Sequence, residues 1–386
     1  MLRENKKNFK KCLFCFNSKT GYNKKVKSDS LICNSNKSNI EEYDTNSKPM
    51  IKGKEVKYSE AIAELKKIIN TKETFHVDGL SCDVQSINKV LNFAEKNKFS
   101  ISHIDGNRIK NFYESFQKYG ASFCSFNEIK NRSDLLIFFN ISQDELCSEF
   151  FENLGCYSKK KKSIFIFYSK KQKTGKYKQI FWEESFFCDL NLLGLNLSLK
   201  TEKISKKYNE FKKKFEEAKF PVVFCNIGEN NFTEVSSIYS FMSLINKRSR
   251  LRVFNFLGSN NSAGFINSCV TKTGFPNSIN FTENGPEYEP NEIIPNSLKE
   301  YINFQIYVSS FEDNPIFEFF KNNVFVGHPN FKKKKKIEIY IPTKTPGIDC
   351  SGLVVRPDGV GITKLTKNIN TDYPFLGEVF DNLIKN

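Results

Sequence analysis

Two stretches of this chain, LLIFFN (135–140) and SIFIFY (163–168), run apolar without alternation. A strand that is apolar on both faces must be covered on both faces. Helices laid over each side of a parallel sheet supply that cover. The segments around these runs fit the requirement. Ala61, Ile62, Leu65, Ile68 and Ile69 fall on one helical face after Ser59, a cap residue. TFHVD (74–78) reads as a short strand, and Gly79 turns the chain into a second amphipathic helix through Val84, Ile87, Leu91 and Ala94. ISHID (101–105) is the next strand, closed by Gly106, and Ile109, Phe112, Phe116 and Tyr119 line a third helix. PVVFCNIG (221–228), a helix marked by Val235, Ile238, Met242 and Ile245, and RLRVFNFLG (250–258) repeat the alternation. INFQIYVS (302–309), NVFVGHP (323–329) and IEIYIP (337–342) complete the set of strands.

Alternation at this spacing predicts right-handed βαβ units. The chain therefore reads as an α/β fold of two doubly wound parallel-sheet lobes, one inserted in the other. Residues 51–125 plus 298–386 form the first lobe, and residues 126–297 form the inserted second one. Residues 259–297, with Pro and Gly around TKTGFPNSINF, read as a long ordered loop. Residues 1–50 are a polar segment and linker.

The densest turn chemistry lies near the C-terminus. Ile337, Ile339 and Ile341 alternate up to Pro342, and Pro346-Gly347, Gly352 and Asp358-Gly359 follow. Asp349, Arg356 and Asp358 are the only charges between residues 345 and 362. Few charges of opposite sign among many turns fit a hydrogen-bonded loop at the end of a sheet, where ligands meet open α/β folds. A well-packed C-terminal turn fits the same spacing. Asp105, Arg108, Arg132, Asp349, Arg356 and Asp358 are expected at one rim. Arg132 and Arg356 are the anion contacts among them, since a guanidinium pairs with carboxylates bidentately. Each residue also fits an internal ion pair pinning a turn.

The 386 residues hold 59 Lys and Arg against 43 Asp and Glu, a net charge of +16. A polyanionic partner would match that surplus. High Lys, Asn, Ile and Phe is also what an AT-rich genome writes into many proteins. No Arg-rich or aromatic-basic motif for nucleic acid appears, and Lys332–Lys336 alone reads as a solvated turn. No apolar run approaches the roughly 20 residues of a membrane span. The charged start, MLRENKKNFKK, lacks the apolar core of a signal peptide, so the cytoplasm is expected.

The 11 cysteines are scattered, as in Cys147 and Cys225, and read as reduced thiols. Cys12 and Cys15 form a CxxC with Cys33 following, three thiolates where zinc or cubane iron–sulfur sites take four. No GxGxxG, Walker loop, GxSxG or HExxH occurs, and His76, His103 and His328 lack partners at helical ligand spacing.

Three groups of segments carry a family resemblance. The first is IKGKEVKYSEAIAELKKII (51–69), GLSCDVQSINKVLNFAEK (79–96) and FNEIKNRSDLLIFFN (126–140). The second is NSAGFINSCVTKTGFPNSINFTENGPEYEPNE (261–292), and the third is IPTKTPGIDCSGLVVRPDGV (341–360). In this order they resemble the B-type subunit of formylmethanofuran dehydrogenase. They are still more similar to its non-redox counterpart in the formyltransferase/hydrolase complex of methylotrophic bacteria. The wider relatives are the molybdopterin oxidoreductases, whose fold the resemblance implies over residues 51–386. The redox subunits carry CxxCxxxC plus a later Cys, and this chain has Lys19 where the third Cys is expected. They also carry a Cys-His pair whose thiolate binds molybdenum or tungsten. Aligned on KYGASFCSFNEIKNRSD, Arg108 and Ile109 stand there, and a guanidinium is no soft anionic ligand.

The resemblance thus implies a non-catalytic B-type subunit, with no cofactor or metal of its own and vestigial cluster positions at Cys12, Cys15 and Cys33. Its partners would be an amidohydrolase-type (A-type) subunit, a formyltransferase subunit, and a C-type subunit, with no nucleic acid and no membrane. The complex would pass a formyl group from a tetrahydromethanopterin-type carrier via methylofuran to formate, in one-carbon metabolism. This chain would scaffold it and hold the polyglutamate tail of methylofuran. The alternative is a redox-active B-type subunit with a molybdenum or tungsten pterin and a [4Fe-4S] cluster. An orphan α/β binding protein is the third possibility.

Overall fold

The computed structural model describes residues 42–71, 74–139, 154–156, 162–168, 178–181, 190, 193–195, 197, 208–225, 232–247, 249–255, 260–288, 302–313 and 322–384. Lys19 and the positions Cys12, Cys15 and Cys33, expected to be vestigial, lie outside these residues. The chain divides into two compact units. Among the described residues, one is built from Asn107–Leu257, and the other from the chain up to Gly106 together with Gly258 onward. The divisions thus fall at 106/107 and 257/258, where the sequence pattern predicts 125/126 and 297/298.

The outer unit opens with a small hairpin, β1 (Met50–Ile51) and β2 (Lys54–Glu55), turned through Lys52 and Gly53 at φ 48° and 77°. α1 (Tyr58–Ile69) starts directly after Lys57, whose N–H donates to Glu60 Oε2 at 2.9 Å. Ser59 therefore lies inside the first turn and is not the cap. β3 (Thr74–Ser81) leads into α2 (Val84–Asn97), capped by Asp83 accepting from the Gln85 N–H at 3.2 Å. β4 (Ser100–Ile101) is shorter than the ISHID pattern, because Asp105 N–H donates to His103 Nδ1 (3.0 Å) in a turn.

The inserted unit runs α3 (Gly106–Tyr119), α4 (Phe126–Arg132), β5 (Leu135–Phe139), β6 (Ser163–Tyr168) and β7 (Lys178–Phe181). It continues with α5 (Asn209–Glu217), β8 (Pro221–Cys225), α6 (Phe232–Asn246) and β9 (Arg252–Asn255). Its sheet is parallel throughout, in the order β7-β6-β5-β8-β9. The continuous apolar runs explain themselves here. Leu135, Ile137 and Phe139 enter one core with Phe112, Phe211, Val235 and Met242. Leu136 and Phe138 enter the opposite core with Phe126, Ile129 and Phe224. Each such side chain contributes about 1.5–3 kcal/mol when fully buried. Phe112 in this core is why α3 belongs to the inserted unit.

The outer unit resumes with α7 (Ser262–Thr273) and a hairpin of β10 (Ile279–Thr282) and β11 (Gly285–Tyr288). The long loop expected over 259–297 is thereby corrected. Ala263, Phe265, Ile266 and Cys269 are a buried helical stripe, and β10 pairs antiparallel with β4. The small residues at the helix start, Ser262, Ala263 and Gly264, mask its period. β12 (Ile302–Ser309), β13 (Asn322–Gly327), β14 (Ile339–Pro342), β15 (Gly352–Val355), β16 (Ile362–Leu365) and α8 (Leu376–Ile384) follow. The large sheet has the order β11-β10-β4-β3-β12-β13-β14-β1-β2, parallel from β4 to β14 and antiparallel at both flanks. TFHVD and IEIYIP thus share one sheet. β15 and β16 form a separate hairpin.

Candidate functional site

The large sheet reverses its strand order between β3 and β12. Connections leave such a point in opposite directions and open a crevice at the carboxyl ends of the strands. At that point β3 is strained. Gly79 has φ 86° and the fully buried Leu80 has φ 44°, and the ladder to β12 shifts register between Tyr307 and Ser309. A Cβ on Gly79 would stand 2.7 Å from Tyr307 Cε1 and from the Val308 carbonyl oxygen. Backbone strain of this kind concentrates at sites rather than in plain scaffolding.

A buried polar chain runs beside the bend. His76 Nδ1 is 2.8 Å from Ser100 Oγ, and its Nε2 is 2.8 Å from Ser102 Oγ. Ser102 Oγ donates to Asp78 Oδ1 (2.7 Å), which also accepts the Gly79 N–H (2.7 Å), while Gln305 Nε2 donates to Asp78 Oδ2 (3.0 Å). Because the Ser102 proton goes to Asp78, the network assigns the imidazole proton to Nε2 and leaves Nδ1 to accept from Ser100. Burial pushes His76 down to about 4, against the opposing pull of the Asp78 carboxylate. Burial, then Asp78, Glu312 and Asp105, hold the Tyr307 phenol well above its ordinary range.

Three buried hydroxyls at strand ends, Ser81, Ser310 and Thr343, make no hydrogen bond within the described residues. A ligand or water would satisfy them. Asn261, at φ 59° before α7, joins two rim elements. Its Nδ2 donates to the Cys82 carbonyl (2.8 Å), and its Oδ1 accepts the Val355 N–H (2.9 Å). Beside it lies a groove of about 300 Å³ between α2, α7 and the β15–β16 hairpin, lined by Val84, Asn88, Asn267, Thr271, Val355 and Ile362 among others.

The six expected rim residues occupy four settings. Asp105 Oδ2 accepts from Ser262 Oγ at 2.5 Å, at the start of α7. Asp349 is fully buried and accepts from Thr345 N–H (2.6 Å), Tyr43 OH (2.9 Å) and Thr371 Oγ1 (2.6 Å). Burial raises its carboxyl above the usual range, and these hydrogen bonds pull it back down. Arg356 and Asp358 meet each other at 2.6 Å and close the β15–β16 turn, helped by Arg356 N–H to Gly361 O and Gly359 N–H to Arg356 O, both 2.8 Å. Arg108 and Arg132 belong to the inserted unit. Arg132 lies over the Phe220 ring (4.6 Å) and 3.8 Å from Glu128. Sequence reasoning missed His76, Asp78, Ser102 and Asn261. Gly79 directly after an apolar strand was the available signal.

The resemblance puts Arg108 where the redox subunits carry their metal-binding thiolate. Arg108 at the aligned position has no lone pair to offer a metal. Among the described residues, no three His, Cys, Asp or Glu side chains are grouped to hold an ion. No helix among them is long and apolar enough to cross a membrane.

No protein-family model matches the chain, and no curated protein sequence does. Among solved structures, it is similar to a chain in the structure of the formyltransferase/hydrolase complex from Methylorubrum extorquens in complex with methylofuran. The TM-score is 0.76 at 11% identity, over 87% of this chain and 97% of that one. The chain therefore has the α/β fold of a chain of that formyltransferase/hydrolase complex.

Proposed function

We propose that this chain is a non-catalytic B-type subunit of a formyltransferase/hydrolase complex, one that scaffolds its partner subunits and holds a methylofuran-type carrier. The observation that carries the reading is the shared fold across nearly the whole of both chains. Three of the five segments that resemble the B-type subunits supply elements near the strand-order reversal: 79–96 supplies the bend and α2, 261–292 supplies α7, and 341–360 supplies the C-terminal loop. Arg108 in place of a metal-binding thiolate favours the non-redox branch. In this role the carrier would be bound as cargo. Chemistry on the formyl group would fall to the amidohydrolase-type and formyltransferase subunits, with a C-type subunit completing the assembly.

Co-expression with these three candidate partners tests the reading. The expected result is one complex that releases formate from a formylated carrier and contains no stoichiometric molybdenum or tungsten. A complex holding either metal with iron and labile sulfide would overturn it in favour of the redox alternative. Arg356→Ala refines the role. Since Arg356 is tied to Asp358, an intact complex with carrier retention reduced at least threefold assigns it to the ligand. Loss of assembly assigns it to the hairpin.

A further inference from the structure

The five-lysine run is a solvated turn set on a packed base. Phe331 before it and Ile337 after it are buried in one cluster with Met50, Phe325 and Tyr340. Lys334–Lys336 form a 3-10 turn, with Lys336 N–H donating to Lys333 O at 2.9 Å. The β1–β2 turn packs on the run's backbone: a Cβ on Gly53 would lie 3.3 Å from the Lys335 carbonyl oxygen. Lys52 N–H donates to Glu338 O at 2.8 Å. Lys334 is turned inward, its Nζ 3.1 Å from Ser47 Oγ and 3.7 Å from Asp44. Lys332, Lys333, Lys335 and Lys336 are exposed, as is Lys54 beside them on β2.

The neighbouring carboxylates are already engaged. Asp44 faces Lys334, Glu55 faces Lys48 (3.4 Å) and Glu338 faces Lys52 (3.5 Å). Among the described residues, the five exposed lysines have no ion pair. Fixed backbone beneath five unneutralised ammonium groups forms a ledge of concentrated positive potential. We propose that this ledge docks an extended acidic polypeptide segment, a chain of successive carboxylates. The choice of partner follows from what surrounds the charges. The aromatic rings of the turn, Phe331 and Tyr340, are buried, so neither offers a platform on which bases could stack. No large exposed apolar residue of the described chain falls in residues 42–58 or 322–342, so nothing there enters a lipid surface. Lysine ammoniums on mobile stems suit many interchangeable carboxylates better than one bidentate site. The charges of the ledge carry this inference; where the chain of carboxylates is the polyglutamate tail of a methylofuran-type carrier it deepens the proposed role, and peptide binding by the chain alone is read separately from assembly of the complex.

The test uses the full chain and a fluorescent ten-residue oligoglutamate peptide, read by anisotropy at low and moderate salt. The expected result is binding that weakens at least tenfold as salt rises. It should also weaken at least tenfold when Lys332, Lys333, Lys335 and Lys336 are all changed to Ser. A charge-matched variant with Lys130, Lys213, Lys364 and Lys367 changed to Ser should bind within threefold of the parent. Equal losses in the two variants would reduce the effect to net charge and overturn the ledge. Tighter binding of a single-stranded oligonucleotide or of anionic vesicles than of the peptide would overturn the choice of partner. No binding by the parent protein would overturn both. Unchanged thermal unfolding of the two variants checks that exposed lysines alone were altered.

Discussion

Replacing His76 with Gln should change how the sheet responds to acid. The imidazole is fully buried and held neutral, down to about 4 from an ordinary value near 6.5. Between those values the unfolded chain binds a proton that the folded one refuses. Stability therefore rises with pH across the window and is lost as pH falls through it. Each pH step of one between the two values corresponds to about 1.4 kcal/mol, so the full window is worth about 3 kcal/mol, and about 2–3 kcal/mol of it is gone by pH 4.5. The His76→Gln side chain carries no titrating group. Its amide can still donate to Ser102, at the loss of the Ser100 bond, which costs about 1 kcal/mol at neutral pH. Amide hydrogen exchange in β3 and β12 measures opening of this sheet separately from the inserted unit. The parent protein should lose about 2–3 kcal/mol more than the variant between pH 6.5 and 4.5. Parallel pH slopes for the two proteins would refute the reading of a buried imidazole held neutral.

Two further outcomes test the rim. Gly79→Ala should destabilise the outer unit by about 3 kcal/mol or more, from positive φ and the approach to Tyr307 together. Urea titration followed by exchange in β12 measures the effect, and a change under about 1 kcal/mol would contradict the geometry. For Asp349 the sign runs opposite to His76. Its carboxyl is raised in the fold, so the native state holds more protons above the unfolded value, and stability falls as pH rises through that window. Asp349→Asn should flatten this dependence while keeping the Thr345 N–H bond. Asp349→Ala should cost about 1–3 kcal/mol for each buried donor left unpaired. Calorimetry from pH 4 to 7 separates the two variants.

The sequence announced the parts of the fold that depend on burial. LLIFFN and SIFIFY could only be strands covered on both faces, and residues 135–139 alternate between two cores as that pattern requires. Where structure rests on small residues or on backbone conformation, the pattern falls silent. α7 begins with Ser, Ala and Gly, whose burial gives no periodic signal, so the helix and its hairpin read as a loop. The unit boundaries moved for the same kind of reason, since Phe112 is apolar on either assignment and nothing in its spacing says which sheet it covers. Asp349 and the Arg356–Asp358 pair were visible as isolated charges among turns. His76, Asp78 and Ser102 were not, because a hydrogen-bonded chain joins residues from two strands and has no spacing of its own.

The Asp105–Ser262 bond has a consequence for how the chain came to carry its insertion. Asp105 stands two residues before the inserted unit begins, and Ser262 stands five residues after it ends. The bond staples the exit and the return of the chain within hydrogen-bonding distance of each other. For the outer unit, everything in between is a loop whose ends already meet, and the entropy of closing such a loop grows only with the logarithm of its length. Whole modules can be lengthened, exchanged or removed at such a junction at little cost to the host. The large sheet is free to complete its own pairing, from β3 to β12, whatever the insertion has become.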